Sequence, residues 1–85
     1  MNGTDISVLY EETETERVLI YRAGMTEVEI ALNRQGYGML IVRTPEVGEV
    51  ERYYGFYMAL DHAAEILNCE MGDLPVPDEA EDFGI

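Results

Sequence analysis

Lysine is missing altogether from these 85 residues: the five cations are all arginines, set against 18 acids, for a net charge of −13. No basic patch exists that could release counterions from a phosphate backbone, so direct nucleic-acid backbone binding is not expected. Cysteine occurs once, at Cys69, which excludes an internal disulfide and suits a reducing, cytoplasmic setting. No apolar run approaches the roughly 20 residues of a membrane span. The first twelve residues, MNGTDISVLYEE, lack a basic region ahead of an apolar stretch, so no secretory signal is expected. Also lacking are G-x-G-x-x-G, the P-loop, C-x-x-C and H-E-x-x-H. Ser7 is the only serine and has no neighbouring base. No cofactor and no catalytic residues are therefore assigned, and the chain does not read as an enzyme.

What is present is acid, and the acid has consequences. Self-repulsion of this size opposes compaction in dilute buffer. Near 1 M salt the Debye length shrinks to about 3 Å and most of that repulsion disappears. The absence of lysine beside abundant glutamate points to a salt-rich cytoplasm. The other readings are an ordinary acidic protein and an acidic decoy for a basic partner. The charge is unevenly spread. Residues 1–16 and 53–85 carry acids and no bases, whereas residues 17–52 hold five acids and all five arginines and so balance to zero. A neutral middle third suits burial or a contact surface.

The hydrophobic pattern predicts strands over 5–10, 17–22, 27–33 and 37–43. Glycine-bearing breaks at AGMT and NRQG and a loop at TPEVG separate the later ones. EVERYY, 49–54, reads as a fifth strand or as the start of a long helix. Gly55 favours a strand-to-helix corner, because glycine inside a helix costs about 1 kcal/mol. From 56 to 68, Phe56, Tyr57, Leu60, Ala63, Ala64 and Leu67 form one apolar stripe at helical period. Leu74 and Val76 are expected to anchor an extended segment. Residues 1–76 thus make one α+β domain and residues 77–85 an acidic, mobile tail.

Three features could carry chemistry. His62, Glu65 and Cys69 include ligand types zinc accepts, but they are too few for a closed site, and no metal is expected. His62 and Cys69 would lie about 10 Å apart along a helix, too far for direct proton transfer. Tyr53, Tyr54 and Tyr57, with Phe56, cluster at the strand–helix corner. Such rings can stack on a flat ligand, so these tyrosines are the candidate ligand-binding residues. The plainer reading is that they fill the junction and turn their hydroxyls to water.

ERYYGFYMALDHAAEILN, followed by DLPVPDEAEDFGI, resembles a family of small acidic haloarchaeal proteins of unknown function. The resemblance runs from about ETETERVLIY to the carboxyl end. It implies a halophilic archaeal cytoplasm and no assigned activity, and it carries over no functional residue.

The expected architecture is an antiparallel meander of four or five strands with one C-terminal helix packed on one face. A helix of about thirteen residues is roughly 20 Å long and covers one face only. Yet the second and fourth strands are apolar on both faces, Val18 and Ile20 against Leu19 and Tyr21, then Met39 and Ile41 against Leu40 and Val42. A second copy of the chain is the economical cover. The expected function is a small non-enzymatic interaction or regulatory module, homodimeric through its sheet. The alternative is a small-ligand-binding protein that uses the tyrosine corner.

Overall fold

A computed structural model describes residues 6–34, 40–45, 48–53, 55–81 and 83, with the side chains of 48–50 and 53 outside that description. Five strands, β1 (Ile6–Glu12), β2 (Glu16–Ala23), β3 (Thr26–Asn33), β4 (Leu40–Thr44) and β5 (Gly48–Tyr53), precede the helix α1 (Phe56–Leu67). Two 3-10 turns follow, η1 (Met71–Asp73) and η2 (Asp78–Ala80). The strands form one antiparallel sheet in sequence order, β1-β2-β3-β4-β5. The fold is thus α+β, a meander with one helix packed on it, and residues 49–53 are strand rather than helix. Residues 37–39 of the predicted fourth strand, Met39 among them, lie outside the described residues.

Alternation decides the faces. Leu19, Tyr21, Val28, Ile30, Leu40 and Val42 point to one side and are fully buried there. Gly24 makes the β2–β3 turn possible. Ala23 pairs with Thr26, leaving a two-residue loop whose first member has φ of 61°, the position where a II′ hairpin demands glycine. A β-bulge at Val42/Arg43 shifts the register of β4 against β5, which bends the edge of the sheet.

α1 lays Phe56, Ala59, Leu60, Ala63, Ala64 and Leu67 on the sheet, and its packing partners are β3, β4 and β5. Ala59, not Tyr57, completes the stripe. The buried arc is centred close to Phe56 and Leu67, and at about 100° per residue Tyr57 falls at its rim. Tyr57 is accordingly 75% exposed. The helix ends one residue earlier than its pattern predicts. Asn68 turns left-handed (φ 62°), its N–H reaches back to the helix, and the Cys69 N–H bonds to the Ala64 carbonyl at 2.9 Å, a Schellman stop. Gly55 is the N-cap, but its φ of −114° and ψ of 142° are open to any residue. Its place at the corner does not depend on glycine's conformational freedom.

The β1–β2 half of the core is closed by the segment after the helix. Leu74 is buried, whereas Val76, its expected co-anchor, is exposed. Ala80 and Phe83 take over that role. Phe83 is 2% exposed and lies edge-on to Tyr10 (6.3 Å between centroids) and tilted against Phe56 (5.6 Å). Arg17 stands over the Phe83 ring at 4.9 Å, donates from Nε to the Tyr10 hydroxyl at 2.8 Å, and donates from Nη2 to the Glu79 carbonyl. The Tyr21 hydroxyl donates to the Pro75 carbonyl at 2.8 Å. Residues 75–81 and Phe83 thus lie as a strap over β1 and β2. It lies on the half of the sheet away from the strands that α1 packs against.

Candidate interaction surface

Of the corner tyrosines, Tyr57 alone has a described side chain. Tyr57 stands out from the helix and meets Phe56 only at 6.5 Å between centroids. Tyr54 and the Tyr53 side chain lie outside the described residues. The described residues do contain an aromatic cluster, Tyr10, Phe56 and Phe83, capped by Arg17, and it is core. The signal for it was present in one place: Phe83 is the only large apolar ring within an otherwise acidic run.

His62 lies on the flank of α1 with Nδ1 at 3.5 Å from Glu65 Oε1. Cys69 falls beyond the helix stop, so it leaves the helical alignment that would have placed it with them. Burial, then the carboxylates of Asp73 and Glu70, push the Cys69 thiol above its usual pKa. That is the wrong direction for a nucleophile or a thiolate ligand. Among the described residues no group of three or more His, Cys, Asp or Glu is placed to hold a metal ion. Met58, Asp61, His62 and Glu65 line an open depression of about 160 Å³, below the roughly 300–1,000 Å³ of ordinary ligand sites.

The remaining surface of note is the outer face of the sheet. α1 and the strap both lie on the core side, so no described element covers the other. The strand register lines up one row across all five strands, Glu11–Val18–Ala31–Ile41–Arg52. In the next row Leu9 pairs with Ile20, Ile20 with Glu29 and Glu29 with Arg43.

Part of this face is sealed from within the chain. Arg43 donates from Nη1 and Nη2 to the two Glu16 oxygens at 3.1 and 2.9 Å, and from Nε to Glu29 at 2.8 Å. Glu16 is on β2 and Arg43 on β4, so the bidentate bridge must cross β3. It does so at Ala31, the one position small enough to pass beneath it, and Ala31 is fully buried. Glu16 and then Glu29 hold the Arg43 guanidinium above its usual pKa, against the opposing effect of burial. Val18 is buried too, Ile20 and Ile41 are half-buried, and Leu9 is 53% exposed. Sequence pattern alone marks β2 and β4 as apolar on both faces; it does not reveal the Arg43–Glu16 bridge that crosses between them.

A five-stranded meander backed by one helix and a strap, with a mixed apolar and ion-paired outer face, defines the molecule as a small two-layer α+β protein. The chain belongs to a family of unknown function (DUF7111), matched over residues 1–85. No curated protein and no solved structure matches it. No helix among the described residues is long and apolar enough to cross a membrane.

Proposed function

We propose that this chain is a small non-enzymatic interaction module of a salt-rich cytoplasm, and that it works as a homodimer joined through the outer face of its sheet. The observation that carries this is the charge of that face. Four of its described side chains are acidic (Glu11, Glu16, Glu27 and Glu29) and three are basic (Arg22, Arg43 and Arg52), whereas the chain as a whole sets 18 acids against five bases. Two copies of a strongly acidic protein repel least where each is nearly neutral. The same face holds Leu9, Ile20 and Ile41, whose remaining exposure a partner would remove from water. At about 4.8 Å between strands and 3.3 Å per residue, the face measures on the order of 500 Å². Two such faces reach about 1,000 Å², the lower bound for a specific interface. Sedimentation equilibrium at micromolar concentration in molar KCl is the test. A doubled mass supports the reading, and a mass near 9.6 kDa rejects it.

A further inference from the structure

The row Glu11–Val18–Ala31–Ile41–Arg52 has opposite charges at its ends and its smallest residue at its centre. That pattern discriminates between the ways two identical faces can meet. A two-fold axis lying along the strands at β3 reverses strand order between the copies. Glu11 of each copy then sits across from Arg52 of the other, Val18 across from Ile41, and Ala31 across from Ala31. An axis running across the strands keeps strand order and brings Glu11 over Glu11 and Arg52 over Arg52. The geometry points to the first: a second copy of this chain docks with its two-fold axis along β3, closed at both edges by reciprocal Glu11–Arg52 pairs. This rests on the homodimer reading and adds its symmetry and its edge contacts.

Three considerations support the arrangement. Face-to-face sheets lie about 10 Å apart, a gap that an arginine and a glutamate reaching from opposite sides can span. Aligned sheets are rotated by about 30°, which displaces residues two strands from the axis by about 5 Å, still within arginine's reach. The centre of the contact is the Glu16–Arg43–Glu29 cluster, whose side chains retain only 25, 29 and 24% exposure. Most of its desolvation has already occurred within one chain, and the guanidinium has its carboxylate partners, so what a second copy must cover is the one negative charge by which two carboxylates exceed one guanidinium.

The test is a charge swap, read as the dimer dissociation constant by sedimentation in the lowest KCl at which all variants keep the wild-type circular dichroism spectrum. Glu11→Arg and Arg52→Glu should each weaken the dimer about tenfold, since each replaces two rim attractions by two repulsions. The double variant, with the wild-type net charge, should return to within about threefold of wild type. If Glu11→Gln, which removes an attraction when the axis runs along β3 but a like-charge pair when it runs across the strands, tightens the dimer, the axis runs across the strands and the inference is overturned. If the wild type dimerises and neither single change matters, the copies meet elsewhere and the inference is again overturned. A wild-type chain that stays monomeric in molar KCl instead removes the homodimer reading itself.

Discussion

Replacing Phe83 by alanine separates a packed strap from a free acidic tail. In the structure the ring is 2% exposed and wedged between Tyr10, Phe56 and the Arg17 guanidinium. Truncating a buried phenylalanine costs about 3–5 kcal/mol. The lower end applies here, because releasing a short segment returns some backbone freedom. A loss of about 3 kcal/mol is a large share of the roughly 4–13 kcal/mol expected for a domain of this size. With a urea dependence of about 1 kcal/mol per molar, the unfolding midpoint should fall by about 2–3 M, and the melting temperature by about 12–24 °C. Urea is the denaturant to use, in a constant 2 M KCl, because guanidinium would add salt of its own. Val76→Ala, at an exposed position in the same segment, is the control and should stay within about 0.5 kcal/mol of wild type. A Phe83→Ala midpoint indistinguishable from that control would show that the strap does not hold the core.

The melting temperature should rise as KCl increases from about 0.1 M to 2 M, as carboxylates in excess of the arginines are screened; a flat or falling curve removes the salt-rich assignment. Burial pushes the Tyr21 phenol well above its usual pKa, so the folded state keeps a proton that the unfolded chain gives up near pH 10. That stability is fully present below pH about 10 and is lost above it, so urea midpoints should decline more steeply above pH 10 in wild type than in Tyr21→Phe. Equal slopes would show that the phenol is not shielded. Gly24→Ala should cost about 1 kcal/mol, because its positive φ disfavours any side chain even though nothing lies within 4 Å of the added carbon. Gly55→Ala should be close to neutral by the same urea assay, since the new carbon meets only Met58 at 3.9 Å.

Strand positions were legible because β1 and β3 alternate and because β2 and β4 are rich in strand formers. Val28 and Ile30 face the core and Glu27 and Glu29 face away, as their spacing requires. The corner at Gly55 was legible for the wrong reason, since glycine's cost inside a helix located it while the angles adopted there are ordinary. Tyr57 was misassigned because a helical wheel gives the width of an apolar arc but not its centre, which the sheet beneath sets. Phe83 and Arg17 were missed as partners because they are far apart in sequence and local periodicity carries no information across that distance. The roof over Ala31 was hidden for a related reason. It needs residues from β2, β3 and β4 at once, and only the pairing register brings Glu16 and Arg43 to either side of a small residue.

The strap divides the molecule by the order in which its parts can close. Hairpin neighbours within the meander meet across short loops, and α1 follows directly on the strands it covers. The contacts that seal β1 and β2 instead join residues 54 and 62 positions apart, Tyr21 to Pro75 and Arg17 to Glu79. Loop-closure entropy makes such contacts late in folding. Until residues 75–83 arrive, the β1–β2 hairpin has a core face with no lid, while the half beneath the helix is already dry. Within one cooperative fold, the amino-terminal hairpin is thus the part whose core face depends on a clasp from the far end of the chain.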